Sequence, residues 1–289
     1  MTPAHIRRRR VTALVVAVLA VAAAVVAVAL ALPRSHKTAP PTTVALPPAP
    51  KPFRIVFPEG FTRSTMAERV AAVAKIAERK RGKPVALARA PYVRATKSLV
   101  IPCFAPHKQA KVEGFLFPAT YDFLAKTTSR QLVAQQVKAF CANWKSVNMS
   151  YARSKNLTSY DVLTIASLIQ GEAVVESERA TIAAVIYNRL HLRMPLGIDA
   201  ALRYALNIPG TESIHESQLQ NPTPYNLRLH TGLPPTPINN PGLASIRAAA
   251  HPARVDYLYF VAKPDKRHHF FTASATAFQQ YLCAHGYGC

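Results

Sequence analysis

Val11 to Leu32 is an uninterrupted run of Val, Ala and Leu with one Thr and no charge. A stretch with no polar face cannot lie along the surface of a soluble domain; it either crosses a bilayer or is removed as a leader. Its 22 residues reach about 33 Å as a helix, enough to span the hydrocarbon core. Arg7 to Arg10 stand immediately before it, which holds the N-terminus in the cytoplasm and sends the rest of the chain outside. Ala29-Leu30-Ala31 has the small-x-small form of a leader cleavage site. The apolar run is longer than the about 7 to 15 residues of a leader, however, so an uncleaved anchor is expected. Residues 1–10 are read as a cytoplasmic tail and 11–32 as a transmembrane helix.

Residues 33–52 carry seven prolines, from Pro33 to Pro52. They cannot form helix or sheet ladders and read as an extended linker, reaching up to roughly 60 Å at about 3.1 Å per residue. Beyond it the chain is long enough for a sizeable core. Its 36 basic residues against 14 acidic ones give a formal charge of +22, which suits contact with polyanions or anionic surfaces. A nucleic-acid partner is not expected, because the sequence holds no aromatic-basic motif of a nucleic-acid module.

Phe53 to Phe57 alternates like a half-buried strand and is turned by Pro58-Glu59-Gly60. Thr65-Met66-Ala67-Glu68 has the form of a capping box and opens a helix to about Arg81. A second helical stretch is read in 86–97, around Pro91. Thr128 or Ser129 caps a helix to about Trp144, with Leu132, Val133, Val137 and Phe140 inward. Thr158, helped by Asp161, caps the helix that carries Glu172. Glu178 to His191 forms the next helix, and Asp199 caps one from Ala200 to Leu206. Proline-rich loops follow, then a helix from about Leu243 to Ala250 and a hairpin of strands at 255–262 and 269–272. The four cysteines, an even count outside the cytoplasm, are expected to pair; of the three connectivities open to them, Cys103–Cys141 with Cys283–Cys289 is the one adopted as the expectation. No Cys-x-x-Cys or His-x-x-x-His spacing calls for a metal, and no cofactor is expected.

The chemistry centres on Glu172. Ile165, Leu168 and Ile169 follow an i, i+3, i+4 pattern whose next member is Glu172, an acid where a core residue is due. A carboxylate among apolar neighbours is poorly solvated when charged, so its pKa rises and it can serve as a general acid. The stripe by itself leaves a second reading open: a frayed helix end beyond Gly171, with Glu172 turned to solvent.

Resemblance decides between them. Residues 158–206, the segments Glu113-Gly114-Phe115-Leu116-Phe117-Pro118 and Tyr225-Asn226, the run from Thr231 to Gly242, and Tyr257 to Ala262 together resemble the YceG-like (MltG) endolytic murein transglycosylase family. The likeness covers most of the chain from about residue 53. It implies an α+β, membrane-anchored protein: a small LysM-like subdomain at 53–110, then a lytic-transglycosylase-like catalytic domain at 111–289 with a helical core and β-hairpin elements. Residues 111–123 resemble the linker into that domain. The implied activity is cleavage of the MurNAc-GlcNAc bond of peptidoglycan strands without water, leaving 1,6-anhydroMurNAc ends. Cell-wall synthases or division proteins are the protein partners it implies, and the catalytic domain would face away from the cytoplasm at the bacterial inner membrane.

The family's Glu-x-Glu motif places the catalytic glutamate at Glu172. Its first position is Gln170 here, so the first acid is dispensable and Gln170 is read as a substrate contact. Tyr225 and Asn226 are read as glycan contacts, through ring stacking and amide hydrogen bonds. Asn188 has two readings: glycan contact or, with Arg189, a tie between helices. Asp199 is read both as a helix cap and as a residue facing the cleft. The other functions open to such a chain are a silent peptidoglycan-binding or division scaffold and a binder of acidic polymers.

Overall fold

The computed structural model describes residues 3–31, 50–97, 99–104 and 112–287, in two units divided after Ala49. The first unit holds helix α1 (Pro3–Ala31). Within it Thr12–Ala31 has a mean hydropathy of 3.1 and is long and apolar enough to cross a membrane. The spacer over 33–49 lies outside the described residues, as does Cys289 and with it the expected Cys283–Cys289 pair.

The second unit mixes helix and sheet. Strand β1 (Phe53–Val56) pairs antiparallel with β2 (Thr120–Phe123), Phe53 opposite Phe123 and Val56 opposite Thr120. The alternation seen in the sequence buries Ile55 and Phe57. Its partner lies at the end of the segment read as a linker, where Tyr121 and Phe123 are buried and Thr120 and Asp122 exposed. The pairing thus joins chain from both sides of the expected division at 110/111, a point itself outside the described residues.

Helix α2 (Arg63–Arg81) begins before the capping box read from the sequence. Thr62 is the cap, its hydroxyl accepting from the Thr65 N–H at 3.1 Å, while Glu68 is drawn instead to Arg89 at 2.6 Å. Helix α3 (Arg89–Ala95) is shorter than expected, because Pro91 is tolerated only in a first turn, where its missing N–H has no partner to lose. Helix α4 (Ser129–Trp144) and helix α6 (Ser159–Glu172) each open with a full capping box, Thr128 with Gln131 and Thr158 with Asp161. Between them stands α5 (Ser150–Ser154). A single 3-10 turn (Glu176–Glu178) leads into α7 (Arg179–His191), followed by α8 (Asp199–Leu206), α9 (Glu216–Leu219) and α10 (Leu243–Ala250). Strands β3 (Tyr259–Ala262) and β4 (His269–Thr272) form the expected hairpin, and α11 (Ala275–Ala284) closes the order. The first hairpin strand starts later than 255, since the carbonyls of Val255 and Tyr257 accept from the Asn188 side chain rather than from a neighbouring strand.

The core is organised on α6. Every residue from Val162 to Ile169 is buried, Thr164 and Ser167 included. Helices α7, α8 and α10 pack around it. A second focus is aromatic: the Phe104 and Phe115 rings meet at 4.9 Å and those of Phe140 and Trp144 at 5.4 Å. Beside it the expected Cys103–Cys141 disulfide ties the segment before residue 105 to α4, across a separation of 38 residues. Closing a loop of that length removes chain entropy worth about 3 to 4 kcal/mol from the unfolded state. Replacing both Cys103 and Cys141 by Ser is therefore expected to lower the stability read from urea denaturation by about that amount. A midpoint equal to the wild type's would show that the cross-link contributes nothing.

Candidate active site

Glu172 is the last residue of α6, two turns after Ile165, and stands half-buried where the apolar stripe runs out. Loss of water pushes its carboxyl up to about 7, and the negative charge of Asp199 adds to the rise. The Ala200 backbone N–H and the Arg203 guanidinium hold it back. A carboxyl balanced in this way is part protonated at neutral pH, as an acid that must also become a base requires.

Ala200 and Arg203 both belong to α8, which approaches α6 because position 171 has no side chain. A Cβ at Gly171 would stand 3.0 Å from the Ala200 Cβ, 3.6 Å from Ile238 and 3.7 Å from the Asn239 amide nitrogen. The sequence reads Gly171 as a weak point in the helix; in the structure it is the place where a second helix N-terminus comes within reach of the acid. Asp199 does not cap α8. It is the first helical residue, after Ile198, and both its oxygens are turned to Arg228, at 2.6 Å from Nε and 2.8 Å from Nη2.

The other wall is the irregular segment from Thr231 to Gly242, much of it buried. Buried backbone must find partners, and here α6 supplies them: the Ser167 hydroxyl accepts from the Ile238 N–H at 3.0 Å, and the Ser167 carbonyl accepts from Asn239 Nδ2 at 2.8 Å. Asn239 Oδ1 is buried with no partner among the described residues. A cleft of about 850 Å³ opens between this segment, α8 and the start of α2, lined among others by Arg63, Glu113, Arg203, Tyr204, Tyr225 and Asn239.

The structure separates the remaining candidates. Tyr225 lies in the cleft wall, its hydroxyl 2.8 Å from that of Thr236 and its ring 5.5 Å from Tyr204. Asn226 is buried, and its Nδ2 donates to the Leu219 and Asn221 carbonyls at 2.8 Å each, so its amide holds the Tyr225 loop in shape. Gln170 Oε1 accepts from the Gly242 N–H at 3.1 Å and from the Ser245 hydroxyl at 2.8 Å, fastening the N-terminus of α10 to α6. Asn188 Nδ2 donates to the Val255 and Tyr257 carbonyls, and Arg189 to those of Leu258, Pro195 and Leu196. This pair ties α7 to loops rather than to a second helix. Among the described residues, no group of three or more His, Cys, Asp or Glu is placed to hold a metal.

Sequence reasoning passes over Glu113, Tyr204 and Asn240, which meet beside the cleft. Glu113 retains 6% exposure, and burial pushes its carboxyl up to about 7 against the bonds it accepts. The motif Glu113 to Pro118 is the only sequence signal that bears on it.

Comparison with known proteins completes the description. The model of the YceG-like family matches residues 35–282. A Bacillus subtilis protein named endolytic murein transglycosylase is 38% identical over 152 residues, 53% of this chain and 42% of that protein. A Streptococcus pneumoniae protein of the same name is 38% identical over 156 residues, 28% of its length. The matched span is thus less than half of either curated relative. The crystal structure of a putative yceG-like protein from Listeria monocytogenes superposes with a TM-score of 0.66 at 27% identity, covering 79% of this chain and 75% of that one.

Replacing Asp199 by Asn removes the negative charge that adds to the rise at Glu172, which favours the carboxylate. Carbon-13 NMR of the Glu172 carboxyl is expected to show it titrating below about 7 in this variant. An unmoved midpoint would mean that Asp199 exerts no field there.

Proposed function

The chain belongs to the YceG-like family, and on that premise we propose that it is a membrane-anchored peptidoglycan lytic transglycosylase with Glu172 as its single acid-base group. Protonated Glu172 donates to the glycosidic oxygen between MurNAc and GlcNAc, the C1–O bond breaks, and the GlcNAc 4-hydroxyl leaves. The carboxylate then takes the proton from the C6 hydroxyl of the same MurNAc as O6 bonds to C1. The strand ends in 1,6-anhydroMurNAc, Glu172 is protonated again, and no water is consumed.

The observation that carries this reading is the isolation of Glu172. A hydrolase of the usual kind needs a second carboxylate, as nucleophile or as base for water. The carboxylate nearest in charge, Asp199, has both oxygens bound by Arg228. Tyr225 offers a ring against which a sugar can pack, and Asn226, Gln170 and Asn188 keep the surrounding loops in place. The part over 53–110, with β1 and α2, serves as the LysM-like glycan contact. Helix α1 remains as the anchor with its N-terminus in the cytoplasm, and the rest works on the outer side of the inner membrane. An oxidising setting suits the Cys103–Cys141 disulfide. Nascent strands are the substrate, which the enzyme trims or terminates next to synthases or division proteins.

Glu172→Gln keeps shape but has no proton to transfer. Release of anhydro-muropeptides is expected to fall by about 10²- to 10⁴-fold or more, since general acid-base help alone is worth that much. Folding is expected to survive. The folded-state pKa is raised, so the stability linked to Glu172 is full below the unfolded value near 4.5 and is lost as pH rises through about 7. At neutral pH an uncharged amide is then at least as well tolerated. Wild-type activity in turn should decline above about pH 7 as the acid deprotonates. Intact strands from the wild type would leave a binding scaffold. Full activity in Glu172→Gln would move the acid elsewhere.

A further inference from the structure

Glu113 is enclosed by donors from three distant parts of the chain. The Arg63 N–H, at the start of α2, reaches its two oxygens at 2.9 and 3.2 Å. Asn240 Nδ2, from the buried loop, donates to Oε1 at 2.8 Å, and the Tyr204 hydroxyl, from α8, stands 3.3 Å from Oε2. Gly114 follows in a left-handed turn, φ +92°, seated so closely that a Cβ would meet Pro237 at 2.9 Å. The titratable groups facing the carboxyl are the Arg63 side chain and the phenols of Tyr204 and Tyr92.

Such an arrangement is poorly explained as a device for stability. Desolvation raises Glu113 above its unfolded value of 4.5, so its contribution falls as pH climbs and reaches its minimum above about 7. The bonds favour the carboxylate, but they do not require it. The Tyr204 hydroxyl accepts as well as donates, so a protonated carboxyl, or an amide, can keep all three partners.

Two of those partners lead to Glu172. Tyr204 belongs to α8, whose Ala200 N–H and Arg203 charge act on the Glu172 carboxyl. Asn240 adjoins Asn239, whose amide nitrogen stands against Gly171. We infer that Glu113 is a positioning residue for the catalytic acid: it fastens α8 and the 231–242 loop to the start of α2, and so sets the direction in which Glu172 presents its proton. This inference rests on the reading of Glu172 as the acid.

The test uses the full-length protein in detergent with nascent uncrosslinked glycan strands, counting anhydro ends across pH. In Glu113→Ala, α8 loses its tether, kcat is expected to drop about tenfold or more, and KM should change little. Weaker contact from the Ala200 N–H and Arg203, both of which favour the carboxylate, raises the Glu172 pKa. The alkaline limb of kcat then moves to higher pH. Glu113→Gln, which keeps the contacts, should restore the wild-type rate and limb. Tyr204→Phe, a milder change than Glu113→Ala, should shift both in the alanine direction by less, and it decides the matter if the alanine variant does not fold. The inference is overturned if the folded variants keep the wild-type limb and kcat, or if Glu113→Gln is as impaired as Glu113→Ala. A wild type that cuts no strands removes the reading of Glu172 and this inference together. A wild type that cuts, beside a Tyr204→Phe enzyme identical to it, removes the inference alone.

Discussion

The structure depends on a helix that has no solvent-facing side. Because α6 is buried from Val162 to Ile169, every polar group on or against that stretch must be satisfied within the protein, at a cost of about 1 to 3 kcal/mol for each one that is not. Thr164 turns its hydroxyl to the Tyr160 carbonyl and Ser167 to that of Thr164, while Gln170 serves α10. Only the last residue, Glu172, reaches the surface of the core with its charge thinly compensated. Its chemistry therefore follows from where the helix stops, and Thr158 and Asp161 fix where it starts.

The loops around that helix end are held by side-chain amides. Asn240 Nδ2 donates to Phe61 O and to Glu113, and its Oδ1 accepts from the Leu116 N–H. One side chain thus joins the chain before α2, the turn at 112–117 and the final third. Loops that carry function must run over a rigid support, and here the support is polar rather than apolar. The two raised carboxyls differ accordingly. Glu113 is closed in by bonds from three partners; Glu172, half-buried at the end of α6, has the Ala200 N–H and the Arg203 charge against it.

Local features of the sequence foretold much of this. The caps at Thr128 and Thr158, the stripe ending at Glu172 and the alternation in Phe53 to Phe57 are all set by neighbours within one or two turns, and these elements stand where the sequence puts them, whereas the capping box expected at Thr65 gives way to a cap at Thr62. Features set by distant contacts were not legible. Strand β2 lies inside an apparent linker because its partner is at Phe53–Val56. The convergence on Glu113 joins residues 50, 91 and 127 positions away, and no spacing rule reaches so far. Gly171 read as a flaw in a helix, because only the approach of Ala200 gives it a purpose. Asp199 read as a cap, because Arg228 was not visible as the competitor for its oxygens.

In the proposed mechanism a lone carboxyl serves first as acid and then as base, which leaves no place for water in the reaction. Digestion of glycan strands by the wild-type protein in water enriched in heavy oxygen measures this directly, by the mass of the newly made ends. Anhydro ends without the heavy isotope are expected, since O6 of the sugar itself closes on C1. Reducing ends carrying the heavy isotope would contradict this, for they require a water activated by a second group, and Glu172 would then not be working alone.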